Sequence, residues 1–188
     1  TLLDLDLGRE GGGFGRVKTA IEKLIEFGAS KTTLLKIDKG ILPDADLAEM
    51  HNWESSDEHG NLMAWIIGNL KPHGVFFSAP LDLDLAMLEA FPDAYKAIIP
   101  KGGGPRMAAD KAAEVVLGTA GPGATVYTGP FKDYSALLPA YRYHFLTISK
   151  PATHLAALTH IKKKDLAENM PPILAELLQH ISKSLRRD

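Results

Sequence analysis

The run Thr1-Leu2-Leu3-Asp4-Leu5-Asp6-Leu7-Gly8 decides how this chain is read. Leucines dominate it, yet two carboxylates one residue apart interrupt it. A short apolar run closed by a turn residue reads as a buried strand. On a strand, positions 4 and 6 point to the same side. Two charges in an apolar strand are costly unless something compensates them. A divalent cation would relieve their repulsion; a strand end fraying into water, with both acids hydrated, is the other reading. Hard oxygen donors without His or Cys favour Mg²⁺, with Mn²⁺ or Ca²⁺ as substitutes, over zinc.

Downstream, Gly8, Gly11, Gly12, Gly13 and Gly15 form a glycine-rich loop. Such a loop lets backbone N–H groups approach an anion ahead of a helix, and a flexible turn has the same composition. It is no Walker A loop, because no Gly-Lys-Ser/Thr follows. Arg9 and Arg16 are candidates to clamp phosphate or DNA oxygens. A helix is expected from about Arg16 to Phe27, with Val17, Ala20, Ile21 and Leu24 inward and Gly28 past its end. Residues 29–42 read as strand or helix. Residues 43–71 read as a helical insertion with a second helix at Leu62 to Leu70.

Val75-Phe76-Phe77-Ser78 is β-branched, aromatic and bounded by turns, and is expected to be a second buried strand. A helix follows from about Asp82 to Ile99, with Leu85, Leu88, Phe91, Tyr95 and Ile98 on one face. Gly102-Gly103-Gly104-Pro105 breaks it. Residues 107–118 read as helix, and 119–141, rich in Gly, Pro and Tyr, as loop. His144-Phe145-Leu146-Thr147-Ile148-Ser149 is expected to be a third strand, followed by helices at about 152–161 and 172–185. Strands alternating with helices argue for α/β topology with a mainly parallel sheet flanked by helices.

Each strand ends in polar residues, and ligands of open α/β sheets bind outside those ends. Beyond Asp4 and Asp6, the second strand leads into Ser78-Ala79-Pro80-Leu81-Asp82-Leu83-Asp84. Asp82 alone reads as a helix cap, whereas Asp84 and Ser78 suit a nearby metal. The third leads into Ser149-Lys150-Pro151. Lys150 could stabilise developing negative charge, or be an ordinary loop lysine. His154 could touch a phosphate or be a partly buried surface histidine. Lys162-Lys163-Lys164 reads as a solvated helix end.

Composition sets limits. Of 188 residues, 45% are hydrophobic and 23% charged, as in ordinary globular proteins. The absence of cysteine excludes disulfides, iron–sulfur clusters and thiolate zinc, and fits a cytoplasmic setting. No apolar run approaches the roughly 20 residues of a membrane span, and the stretch from Thr1 does not read as a basic leader segment. The net charge of −2 conceals a contrast: residues 1–100 hold 16 acids against 9 bases, and residues 141–188 hold 8 bases against 4 acids. That contrast suits an acidic metal centre with a basic surface for a polyanion, and equally suits solvated helix faces. Thr1 opens directly inside an apolar run, so the sequence is expected to be a piece whose upstream partners lie elsewhere.

Three strings together resemble one family. Leu2-Leu3-Asp4-Leu5-Asp6-Leu7-Gly8-Arg9-Glu10-Gly11-Gly12-Gly13, Phe77-Ser78-Ala79-Pro80-Leu81-Asp82-Leu83-Asp84, and Ser149-Lys150-Pro151 with His154-Leu155 are similar to class 2 nucleases of the OLD (overcoming lysogenization defect) family. The resemblance implies a Toprim-like catalytic domain over 1–188, with an α/β core at 1–42 and 72–188 and the insertion at 43–71. It implies DNA cleavage or nicking with two divalent metals roughly 4 Å apart. Asp4, Asp6 and Asp84, with Ser78 and Asp82, would hold metal, and Lys150 would stabilise the transition state. It also implies an ABC-type ATPase upstream in the same full-length chain, where ATP would bind, DNA as partner, and a homodimer as a further expectation. The family's glutamate on an earlier strand has no counterpart after Thr1. Two rivals stand. A haloacid-dehalogenase-like phosphatase shares the order Asp4/Asp6, Ser78, Lys150, but its late acidic pair is missing: Asp165, Glu168, Glu176 and Asp188 follow no strand. A non-catalytic DNA-binding or dimerisation module would use the basic C-terminal third alone.

Overall fold

The computed structural model describes residues 1–9, 12–53, 57–118 and 134–186. Expectations resting on Glu10, Gly11, residues 54–56, residues 119–133 and Asp188 lie outside the described residues. The chain is mixed α/β, mainly helical, and divides into two compact units. Among the described residues the first holds 1–81 and the second 82–118 with 134–186.

In chain order the first unit contains β1 (Leu2–Asp4), α1 (Phe14–Glu26), α2 (Lys31–Leu34), β2 (Lys36–Ile37), β3 (Gly40–Ile41), α3 (Asp44–Glu49), α4 (Asp57–Leu70) and β4 (Phe76–Ser78). β1 and β4 pair in parallel, with Leu2 opposite Phe76 and Asp4 opposite Ser78. α1 places Phe14, Val17 and Ile21 inward, as its 3.6-residue period requires. It stops at Gly28, whose φ of 91° suits the residue past a helix end, where Ala29 N–H reaches back to Leu24 O at 2.9 Å.

The ambiguous stretch 29–42 forms the short α2 and the β2–β3 hairpin. Asn69 of α4 ties both down by donating to Leu34 O at 3.1 Å and Lys36 O at 2.6 Å. The described residues of 43–71 are mainly helical, and their apolar side chains are part of the unit's core. Leu47, Met50, Met63, Ile66, Ile67 and Leu70 cluster with Leu5, Leu7, Val17, Ile21, Leu34 and Phe77. α4 begins at Asp57, five residues before the expected Leu62.

The second unit contains α5 (Leu83–Ala90), α6 (Pro92–Ala97), α7 (Ala109–Leu117), α8 (Leu138–Tyr141), α9 (Lys150–Leu158), α10 (Lys163–Asn169) and α11 (Pro172–Leu185). The single helix expected over 82–99 is two. Pro92 cannot continue a helix from within and biases Phe91 away from helical angles, and Phe91 sits at φ −133°, ψ 52°.

The third strand is absent. α8 runs into a π-helical turn at Arg142–Leu146. Leu138, Tyr141 and Phe145 are buried at helical spacing, while Leu146 and Ile148, which an alternating strand would also use, are 46% and 47% exposed. Lys150 therefore opens a helix instead of closing a strand. Among the described residues the parallel sheet has two strands. No helix among them is long and apolar enough to cross a membrane.

If α4 belongs to the first unit's core, Ile66→Ala, at a site with 0% exposure, should destabilise by about 2–5 kcal/mol in urea unfolding. Its neighbour Trp65, 51% exposed, should cost far less on truncation. Equal small effects at both positions would detach α4 from the core.

Candidate functional site

In the first unit, β1 and β4 end side by side. Ser78, fully buried, donates its hydroxyl to Asp4 Oδ1 at 2.8 Å, with Leu3 O at 3.3 Å. Asp4 itself is exposed. A 290 Å³ depression lined by Leu3, Asp4, Arg16, Thr19 and Phe77 opens beside it.

Past Asp4 the chain leaves the strand but keeps the β4 side as its partner: Leu5 N–H donates to Ser78 O at 3.0 Å, Asp6 N–H to Leu81 O at 2.7 Å and Leu7 N–H to Pro80 O at 2.8 Å. Asp6 takes φ 51°, the one left-handed non-glycine residue among those described. Asp is among the few types that tolerate this. Its carboxylate is 5% exposed and pinned from both sides, by Arg9 Nη1 on Oδ1 at 2.5 Å and by Arg16 Nη1 on Oδ2 at 2.6 Å. Arg16 Nη1 also donates to Asp4 O at 2.9 Å.

Asp4 and Asp6 thus do not share a face as a continued strand would have them. The pleat ends at Asp4, one carboxylate is exposed and the other buried in an ion-pair cage. The glycine loop closes that cage. A Cβ at Gly12 would sit 2.7 Å from Asp6 Cβ, and Gly13, at φ 76°, donates its N–H to Leu5 O at 2.6 Å. Arg9 and Arg16, expected on phosphate, hold a carboxylate here.

In the second unit, Asp82 caps α5 by accepting from Leu85 N–H at 2.9 Å, and Tyr141 Oη donates to its other oxygen at 2.5 Å. Asp84, in the first turn, contacts Lys150 Nζ and lies 2.8 Å from His154 Nε2. His154 Nδ1 lies 2.6 Å from Tyr95 Oη. Lys150 Nζ is also 3.9 Å from Asp82. The first two turns of α9 thus bring Lys150 and His154 onto the first turn of α5. Lys150, Asp82, Asp84 and His154 are brought together in one network.

Burial pushes the Asp82 carboxyl up, against the opposing hydrogen bonds from Tyr141 and Leu85. Burial acts on Asp84 the same way, but the hydrogen bonds and charges of His154 and Lys150 outweigh it and hold that carboxyl below its usual range. Tyr95 is pushed well above an ordinary phenol, by burial and then by the Asp84 charge, so it stays protonated. His154 thus bridges Tyr95 and Asp84, with each ring nitrogen within hydrogen-bond distance of one of them.

Tyr95 and Tyr141 are the residues that sequence reasoning missed. Tyr95 reads as one member of an apolar stripe, yet a buried tyrosine hydroxyl needs a partner, and that requirement was the available signal. His154, expected on phosphate, has both ring nitrogens engaged.

Among the described residues, no group of three or more His, Asp or Glu side chains is gathered as a metal site. The donor chemistry nonetheless suits a hard divalent cation: Asp4 with Ser78 in one unit, Asp82 with Asp84 in the other, all oxygen. No protein-family model, curated protein or solved structure matches this chain.

The two acids of the α5 turn should titrate oppositely. The raised Asp82 carboxyl makes the unfolded chain release its proton first, so its contribution to stability falls as pH rises through the carboxylate range. The lowered Asp84 contributes stability above the unfolded carboxyl range and loses it as pH falls. Relative to the parent protein, Asp82→Asn should therefore gain stability between acid and neutral pH, and Asp84→Asn should lose it, in urea melts across that range. The same slope for both variants would contradict the assignment.

Proposed function

We propose that this chain is the Toprim-like, Mg²⁺-dependent nuclease part of an ATPase–nuclease, hydrolysing phosphodiester bonds in DNA. The reading rests on the resemblance carried by the Asp4/Asp6, Ser78–Asp84 and Ser149–Lys150–Pro151 strings. The observation that carries it is the Asp4–Ser78 pair. An exposed carboxylate, oriented by a buried hydroxyl, stands at the C-terminal ends of two parallel strands, the position where open α/β sheets bind ligands.

Asp4 with Ser78 would hold metal in the first unit, while Asp6 is held by Arg9 and Arg16; within the second unit Asp84 is the acid that would hold it, Asp82 being engaged by Leu85 and Tyr141. A bound Mg²⁺ supplies Lewis acidity and lowers the pKa of water. The remaining work falls to the chain's own groups. Arg16 bonds both Asp6 and the Asp4 carbonyl, so it fixes the exposed carboxylate's backbone while keeping a guanidinium at the mouth of the depression. That guanidinium can meet a phosphate oxygen. Lys150, 44% exposed, carries a positive charge that can neutralise charge developing on a phosphate. His154 and Tyr95 set the orientation of Asp84 and touch no phosphate themselves. A phosphatase acting through Asp4 and a metal-independent DNA-binding module are the outcomes that would replace this reading.

The test is nicking of supercoiled plasmid by the full-length natural protein in Mg²⁺, Mn²⁺ or EDTA. Asp4→Ala should lower the rate on the order of 100-fold and Ser78→Ala about tenfold. Lys150→Met should cost about 100-fold at saturating DNA. Undiminished metal-dependent nicking by Asp4→Ala would refute the proposal. A phosphoaspartate trapped at Asp4 would mark a phosphatase, and DNA binding indifferent to EDTA without nicking would mark a binding module.

A further inference from the structure

Residues 100–107, Pro-Lys-Gly-Gly-Gly-Pro-Arg-Met, follow α6 and form a tight turn. Gly102 at φ 79° and Gly104 at φ 117° take angles that side-chain-bearing residues rarely adopt. Gly103 N–H donates to Pro100 O at 2.8 Å. A Cβ at Gly103 would lie 3.1 Å from Tyr143 Oη, so the turn rests against that phenol. Arg106 Nη2 donates to Gly102 O at 2.6 Å, which fixes the direction of its guanidinium.

Between this turn and the α8/π segment lies a cavity of 350 Å³, at the lower end of the roughly 300–1,000 Å³ of small-molecule sites. Pro105, Met107 and Pro139 form its apolar walls, and Arg106, Arg142 and Tyr143 its polar ones. Two permanent positive charges line it, and no carboxylate among the described residues does. Arg142 Nε is buried and has no hydrogen-bond partner among the described residues. A buried unpaired donor is costly, and an arginine cannot escape the cost by losing its proton. The two guanidinium side chains lining the cavity favour an anionic acceptor there. The planar guanidinium forks match phosphate oxygens, and the tyrosine and proline faces suit the sugar or base beside it.

We propose that this pocket binds the phosphate of a nucleotide unit, with Arg106 and Arg142 on the phosphate oxygens and Tyr143 against the adjoining nucleoside. A free nucleoside monophosphate and a phosphodiester within a single strand present the same group. The pocket shares no residue with the Asp84–Lys150–His154 network, and binding there needs no metal. It therefore stands or falls apart from the hydrolytic reading.

The test uses the full-length protein in EDTA, where hydrolysis plays no part. Three probes are a fluorescein-labelled oligothymidylate, thymidine 5′-monophosphate and inorganic phosphate. Arg106 is exposed, so Arg106→Ala should keep the fold, checked by circular dichroism. It should weaken binding about tenfold or more. Arg142→Lys keeps the charge but loses the fork and the buried Nε, and should weaken binding as well. Lys163→Ala, which removes a solvated charge elsewhere in the unit, should stay within about twofold. Binding of the monophosphate that competes with the oligonucleotide would identify a free nucleotide as occupant, and binding of the oligonucleotide alone would identify the strand. Equal losses in Arg106→Ala and Lys163→Ala, or no binding of any probe, would overturn the pocket.

Discussion

The first unit is organised around one buried carboxylate. Asp6 lies just beyond the end of β1, and it is flanked by Leu5 and Leu7, which are both in the core. Left unpaired there it would be intolerable, and a charge stripped of its partner costs about 3–5 kcal/mol. Arg9 and Arg16 each take one of its oxygens, and both come from the segment that immediately follows. That requirement explains the left-handed Asp6, the bare Gly12 against its Cβ and the turn of the chain into α1. It also leaves Asp4 as the exposed carboxylate, held by Ser78 across the strand pair. The clamp separates a buried, ion-paired acid from an exposed one.

The second unit solves a similar problem differently. Its two acids lie on the first turn of α5, where carboxylates favour the helix N-terminus. Asp82 is spent on the cap and on Tyr141, and burial pushes its carboxyl up. Asp84 faces Lys150 and His154, which outweigh burial and keep it ionised. Two carboxylates two residues apart thus acquire opposite characters from their surroundings, as acid–base pairs in functional sites do. Tyr95 extends the row through His154, and Asp84 cannot swing without breaking its contacts to both Lys150 and His154.

Local features with strong periodicity were legible from the residues. The α1 stripe at Val17 and Ile21, its stop at Gly28, and the buried Phe76-Phe77-Ser78 strand all follow from spacing and turn chemistry. The 144–149 segment was not, because a short apolar and aromatic run carries no period that separates strand from helix. What decided it was Leu138, Tyr141 and Phe145, which only become a stripe when read from further upstream. At the site, Asp4, Asp6, Ser78, Asp84 and Lys150 were visible as residue types at strand or helix ends. Their partners were not. A fold is needed to learn that Arg9 and Arg16 close on Asp6, or that Tyr95, fifty-nine residues before His154, completes its hydrogen bonds.

The central claim is that Asp4 is a metal ligand and that its pairing with Ser78 prepares it for that role. Titration of Mn²⁺ into the full-length protein, followed by electron paramagnetic resonance, tests this without relying on turnover. Asp4→Asn preserves the shape and the hydrogen bond from Ser78 but removes the charge. The account predicts that this variant binds Mn²⁺ about tenfold or more weakly than the parent, with an unchanged circular dichroism spectrum. Superimposable Mn²⁺ titrations of the two proteins would contradict it.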